Sequence, residues 1–336
     1  MTQSYTPPFN ISSTIVSLVA EISQILGRLA VLDDVSNNLR LRRINRIRTI
    51  QGSLAIEGNT LSVEQITAIL EGKRVMAPPR EIQEVRNAIK AYEVLEKWKP
   101  YSKDDLLSAH SLLMSALLDL PGTFRTGGVG IMAGQTVVHL APPAGRVPYL
   151  MNDLLQWLKE TNQHPLIAGS VFHYEFEFIH PFEDGNGRMG RLWQTLILGK
   201  WNPLFSAIPV ESLVYEHQAE YYAALNKSTK NAESSVFIEF MLKMIIGAVR
   251  SLSTPEVRPD VTPEVKKMLS ALNGEMTRKE IQQKLGLKDE KHFRTAYQQP
   301  AIAQGLIEMT IPDKPNSRLQ KYRITPKGIA FVKENQ

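Results

Sequence analysis

The residues best placed to do chemistry lie in one run, His180-Pro-Phe-Glu-Asp-Gly-Asn-Gly-Arg-Met-Gly-Arg191. Gly185-Asn186-Gly187 joins two residues indifferent to the sign of φ to one that tolerates left-handed geometry, so successive N–H groups can turn into a single concavity that holds an anion. The stretch 188–200 has helical spacing and sets its positive dipole end beside that concavity. Arg188 and Arg191 share one face of its first turn, where a cation is unfavourable by about 0.3–1 kcal/mol unless a negative group lies close. Phosphate is the anion that suits such a backbone. Asp184, at the rim, has the place of a lone carboxylate that holds Mg²⁺ next to bound phosphates. His180, with an ordinary pKa close to neutrality, can take a proton from an incoming hydroxyl. Phe182 is expected to anchor the loop in the core.

Two other readings of these residues are weaker. His173, Glu175, Glu177 and His180 could pass for a metal cluster, but only His173 and Glu177 share a helix face, so His173 is expected to be a hydrogen-bonded core residue. A P-loop is excluded because no Gly-x-x-x-x-Gly-Lys-Ser/Thr occurs in the chain.

The run resembles the signature of the Fic (Fido) family, His-Pro-Phe-x-Asp/Glu-Gly-Asn-Gly-Arg-x-x-Arg, with every defined position filled. The resemblance implies a helical domain that transfers AMP from ATP to a Tyr, Ser or Thr hydroxyl of a target protein, and to itself, with release of pyrophosphate. It makes His180 the base and Asp184 the Mg²⁺ ligand. Gly185, Asn186 and Gly187 would cradle the α- and β-phosphates, and Arg188 and Arg191 the β- and γ-phosphates. Met189 and Gly190 fall in the same nucleotide-binding stretch. His217, in Glu216-His-Gln-Ala-Glu-Tyr-Tyr222, stands where family members more often have Asn and would reach the adenine.

Upstream, Ser53-Leu-Ala-Ile-Glu-Gly58 is similar to the family's inhibitory motif. On a helix Ser53 and Glu57 share a face and Gly58 supplies the stop. The resemblance implies that Glu57 pairs with Arg191 and occupies the fork that would grip the γ-phosphate. Residues 124–149 look like the family's flap, whose edge at Val129, Gly130 and Ile131 would take an extended target segment as an added strand. Removal of AMP at the same site, and a nucleotide-sensing regulator that binds DNA, stay open as alternatives.

The elements that must position these groups follow from the spacing. Apolar residues recur at helical intervals in 11–32, 36–57, 62–71, 80–98, 103–118, 150–161, 165–178, 187–200, 216–229 and 233–250. Glycines and β-branched pairs between Gly127 and Pro148 predict a short hairpin. The expected fold is mainly α, a Fic-type helical bundle with a β-hairpin flap, followed by a winged helix-turn-helix. Its expected parts are an N-terminal region 1–102 with the inhibitory motif, a catalytic core 103–250, a Pro-containing linker 251–263 and a winged helix 264–336.

Composition limits the classes further. The 336 residues include no cysteine, which excludes disulfides, thiolate zinc sites and a cysteine nucleophile. No apolar run is long enough to span a membrane and no signal peptide is evident, so a cytoplasmic location is expected. The net charge of +5 comes entirely from residues 259–336, which hold 14 basic and 9 acidic residues. DNA is therefore a possible partner through Lys288, Lys291, His292, Arg294, Arg318, Lys321 and Arg323, with protein docking or homodimer formation as the other roles for this region.

Overall fold

Apolar stripes on helices need matching surfaces, and the helices of this chain supply them to one another. The computed structural model describes all residues except 1–4, 32–38, 134–135, 254–261, 288, 312–316, 318, 326–327, 330 and 333–336. The chain divides into two units, Met1–Thr254 and Pro255–Gln336. The N-terminal helices and residues 103–250 thus form one unit, and most of the proposed linker lies outside the described residues.

In the larger unit the helices are α1 Ser13–Val31, α2 Leu39–Ile56, α3 Val63–Leu70, α4 Pro79–Val94, α5 Lys103–Leu113, α6 Val147–Glu160, α7 Pro165–Ile179, α8 Asn186–Trp201, α9 Val210–Glu216, α10 Gln218–Asn231 and α11 Ser235–Ser253. A hairpin, β1 Gly130–Ala133 and β2 Thr136–Leu140, separates α5 from α6. Its strands are antiparallel, with Gly130 opposite Leu140 and a bulge between Ile131 and Met132. The protein is mainly helical with a short hairpin, as the periodicity predicts.

At the centre, α7 packs against α8. Residues on every side of α7 are buried, from Leu166 through Phe176 to Ile179, which is the pattern of a helix wrapped by others rather than one facing solvent. Phe172, Phe176, Phe182 and Trp193 are fully buried there. α2 crosses α9, and Gly52 marks the crossing: a Cβ at Gly52 would lie 2.7 Å from the backbone of Glu211 and Ser212.

Three boundaries differ from the spacing. The predicted helix 103–118 ends at Leu113 because the chain turns at Ala116, φ 60°. The predicted helix 216–229 is interrupted at His217, whose φ −111° and ψ 35° are not helical, and α9 begins earlier, after Pro209. Both breaks come from backbone geometry that apolar periodicity does not encode.

The smaller unit has α12 Pro263–Ala271, β3 Met276–Thr277, α13 Arg278–Leu285, a third helical segment, β4 Ile307–Met309 and β5 Lys321–Ile324. Thr277 and Glu280 form a capping box, and Gly286 in left-handed conformation ends α13. The third segment runs from Glu290–His292 through a π-helical stretch Phe293–Gln298 to Gln299–Ala303. The sheet has three antiparallel strands in the order β3-β5-β4, with Met276 and Thr277 paired to Tyr322 and Lys321. Val265, Met268, Leu269, Ile281 and Phe293 form a core separate from that of the larger unit.

Candidate active site

The turn between α7 and α8 begins at His180, which caps α7 in left-handed geometry, φ 50° and ψ 63°. Its N–H donates to the Phe176 carbonyl at 2.9 Å. Such a conformation in a non-glycine residue costs about 1–3 kcal/mol and persists only where the surroundings impose it. Arg125 does so. Its Nε donates to the His180 carbonyl at 2.7 Å, its Nη2 to the carbonyls of Pro142 and Ile179, and its Nη1 to that of Gly127. One guanidinium thus covers the carbonyl end of α7, where a cation is favoured, and ties it to the strand-bearing segment. The His180 side chain is half-buried, with Nδ1 shut off from solvent.

Asn186 closes the turn from within: its Oδ1 accepts from the Phe182 N–H and its Nδ2 donates to the Phe182 carbonyl, both at 2.9 Å. Gly185 is left-handed, φ 85°, and a Cβ there would lie 2.7 Å from the Met114 sulfur. His110 braces the turn from below. It stacks on Phe182 with centroids 3.6 Å apart, accepts from the Gly122 N–H at Nδ1 and donates from Nε2 to the Asp184 carbonyl at 3.0 Å. Burial brings its pKa down to about 4, so this neutral tautomer holds across the physiological range.

The anions that the two arginines require are present. Arg188 donates to Asp184 Oδ1 at 3.0 Å and lies 3.4 Å from Glu84 Oε1 on α4. Asp184 also accepts from the Gly185 N–H and, at Oδ2, from Arg80 at 3.1 Å. Arg191 turns to the end of α2. Its Nε donates to Ser53 Oγ at 3.1 Å, and its Nη2 to the Ser53 carbonyl at 2.9 Å and to Glu57 Oε1 at 2.7 Å.

The end of α2 is fixed by a Schellman turn: Asn59 N–H donates to the Leu54 carbonyl, Gly58 N–H to that of Ala55, and Gly58 takes φ 88°. Glu57 therefore projects at a defined point. Gly187 makes room for it, since a Cβ there would lie 2.3 Å from Glu57 Oε1. Beneath Arg191 two further carboxyls, Glu177 and Glu211, are buried. Burial pushes Glu177 up to about 8 and raises Glu211 as well. Glu57, at 2.7 Å, is the carboxylate in direct contact with Arg191.

Comparisons with known proteins bear on the family. The Fic/DOC family profile matches residues 100–198, and that of the "Filamentation induced by cAMP protein Fic-like, C-terminal domain" matches 263–325. The crystal structure of a Fic family protein from Desulfovibrio desulfuricans G20 is 52% identical, with a TM-score of 0.73, covering 96% of this chain and 99% of that one. The chain belongs to the Fic family. The structure of Fic-1 (residues 134–508) from Caenorhabditis elegans is 28% identical with a TM-score of 0.55, over 69% of this chain and 72% of that one. "Protein adenylyltransferase Fic" of Aedes aegypti is 28% identical over 69% of this chain and 50% of its own length. The chain spans about half the length of the curated relatives it matches.

Within this Fic site, two residues of the signature stretch face inward. Met189 is fully buried and its N–H is spent on the Gly185 carbonyl, so it is a core residue rather than a nucleotide contact. Gly190 is small because a Cβ would lie 2.9 Å from both Glu177 Oε1 and His173 Cδ2; its role too is packing. His173 is buried, donating from Nδ1 to Gln194 and accepting at Nε2 from Tyr221, and burial lowers its pKa to about 3.

The outer parts of the site are less enclosed. The His217 side chain is half-exposed, 3.5 Å from Glu220 at the junction of α9 and α10, while Gln218 donates to the Ile56 carbonyl at the end of α2. Val129, Gly130 and Ile131 lie at the start of the hairpin, with the Ala141 N–H donating to the Val129 carbonyl. Asp184 is a single, partly exposed carboxylate at the rim of the turn, a group of the kind that suits a hard cation keeping most of its waters, and here its oxygens meet Arg80 and Arg188. In the smaller unit, Arg323, one of the residues of the expected basic surface, pairs with Glu308 and Glu275. Lys288 and Arg318 lie outside the described residues.

Arg125, His110, Glu84 and the bond from Arg191 to Ser53 belong to the site's geometry without a motif in the sequence to mark them. Arg125 and His110 act through backbone carbonyls, which leave no spacing pattern in a sequence. An arginine followed by glycines ahead of the hairpin was the only available signal for Arg125.

Proposed function

We propose that this Fic chain transfers AMP from ATP to a hydroxyl of a protein target, and that Glu57 keeps the resting site closed. Relatives named protein adenylyltransferases support the reaction class. The observation that carries the reading is the Arg191 guanidinium, buried at the phosphate-binding end of α8 and held by Glu57 at 2.7 Å. A bidentate cation in that place suits a terminal phosphate, and a carboxylate on it excludes one.

In this mechanism Nε2 of His180 accepts the proton of the target hydroxyl as its oxygen bonds to the α-phosphorus. The bond from that phosphorus to the bridging oxygen breaks, and pyrophosphate leaves with the electron pair. A positioned base of this kind contributes about 10²–10⁴ in rate. The N–H groups at the start of α8 and the two arginines hold the negative charge as it moves to the leaving group. Asp184 would hold Mg²⁺, which when bound neutralises phosphate charge. The hairpin edge at Val129 to Ile131 would align an extended target segment by main-chain hydrogen bonds. A hydroxyl on the chain's own surface would serve equally, giving self-modification.

The test is labelling from α-labelled ATP with Mg²⁺, followed by mass measurement of the protein. Glu57→Gly is expected to raise labelling at least tenfold and to lower stability, because it leaves Arg191 buried without its partner. His180→Ala in that background is expected to abolish labelling. Equal labelling in the wild type and Glu57→Gly would dismiss the inhibitory role. Release of AMP from a pre-modified target by the wild type but not by Glu57→Gly would assign Glu57 to hydrolysis instead.

A further inference from the structure

Arg188 is in an unusual state for a buried cation. Only a few per cent of it is exposed, yet its Nε and Nη1 have no hydrogen-bond partner among the described residues. Buried guanidinium donors left unmade are costly, and the cost persists only where another demand fixes the group. The charge is balanced by two carboxylates. Asp184 takes Nη2 directly, and Glu84 approaches Nη1 at 3.4 Å, a charge contact that leaves the donor free.

Glu84 is itself fixed from the other side. Its Oε2 accepts from Asn59 Nδ2 at 2.9 Å, and Asn59 is the residue that completes the turn after Glu57 and Gly58. The same Nδ2 reaches the Glu81 carbonyl, and Glu81 Oε2 accepts from both the N–H and the hydroxyl of Thr60. Arg80 joins Glu84 to Asp184, with Nε 3.6 Å from the first and Nη2 3.1 Å from the second. The opening turns of α4 therefore link the inhibitory segment to the phosphate-binding turn by a path separate from the Glu57–Arg191 pair.

We propose that Glu84 is a positioning residue: it aims Arg188 at the outer phosphates of the nucleotide and, through Asn59, holds the inhibitory segment in register with that aim. Its charge sets where the guanidinium points while its geometry leaves Nε and Nη1 for phosphate oxygens. The proposal rests on the nucleotide reading above and predicts an effect confined to ligands that carry phosphates beyond the first.

The experiment measures ATP and AMP affinity by calorimetry in the Glu57→Gly chain, with and without Glu84→Gln. Glutamine keeps the bond from Asn59 and the shape but removes the charge on Arg188. ATP affinity is expected to fall about tenfold with AMP affinity unchanged within twofold. Equal losses for ATP and AMP, or no loss, would overturn the proposal. In the chain with Glu57 intact, Asn59→Ala is expected to raise AMP transfer several-fold; no rise would remove the link to the inhibitory segment. A double-mutant cycle of Glu84→Gln with Arg188→Gln, read by thermal unfolding without nucleotide, keeps the two readings apart. Non-additive shifts with no ATP binding to Glu57→Gly would sink the proposed activity, whereas additive shifts would sink the role of Glu84.

Discussion

Glu177 illustrates how single buried groups set the behaviour of this site. It faces Arg191 and Glu57 across the first turn of α8, Tyr221 from α10, and His173 Nε2 at 3.8 Å on its own helix, with Gly190 above it. Burial lifts its pKa from 4.5 to about 8 against the pull of Arg191. Below pH 4.5 the carboxyl is protonated in both folded and unfolded chains and costs nothing. As pH rises the unfolded chain loses the proton first and is favoured, so stability falls until about pH 8 and then levels. Glu175, raised to about 7 by burial although Tyr5 donates to it, adds a slope of the same sign. Glu177→Gln is expected to flatten much of this decline and to be more stable than the wild type at pH 8–9, by at most about 5 kcal/mol. Urea unfolding between pH 5 and 9 checks it, and parallel profiles for the two chains would show that Glu177 ionises freely in the fold.

At the scale of elements, the contact of Glu57 with Arg191, proposed above to be inhibitory, depends on where α2 lies, and Gly52 bears on that. Its missing side chain lets α2 approach the backbone of α9 so closely that a Cβ would meet three backbone atoms at 2.7 Å. Backbone cannot swing aside as a side chain can, so Gly52→Ala must move α2 outward. Ser53 and Glu57, one and five residues further on, would be drawn from Arg191. AMP transfer is expected to rise, with stability lower by about 1–3 kcal/mol; unchanged transfer with lowered stability would mean that the end of α2 is held by its Schellman turn and not by the crossing.

How much of this was legible from sequence divides on the same line. The turn at 180–191 could be read because its residues are contiguous, and the approach of Glu57 to Arg191 because Ser53, Glu57 and Gly58 sit at helical intervals. Gly52 gave no warning, since only the approach of α9 makes it special. Asn186 was expected to cradle phosphate through its backbone, and its side chain proves to staple the turn to Phe182. The strand Met276–Thr277 was missed because two residues carry no alternation.

For the whole molecule, the decisive fact is that the hydrophobic residues form two clusters with no member in common. Every group assigned to the chemistry belongs to the larger unit, and the smaller unit rests on its own few large side chains, Phe293 foremost, fully buried against Tyr297. A unit of that size buries little apolar surface and is stabilised by a narrow margin. Phe293→Ala, at about 3–5 kcal/mol, should exhaust that margin. Calorimetry is expected to show the transition of the smaller unit lost or strongly lowered and that of the larger unit in place. AMP transfer by the Glu57→Gly chain carrying the same substitution is expected to stay within twofold. A joint shift of both transitions, or a large fall in transfer, would mean that the smaller unit takes part in holding the site rather than serving a separate purpose beside it.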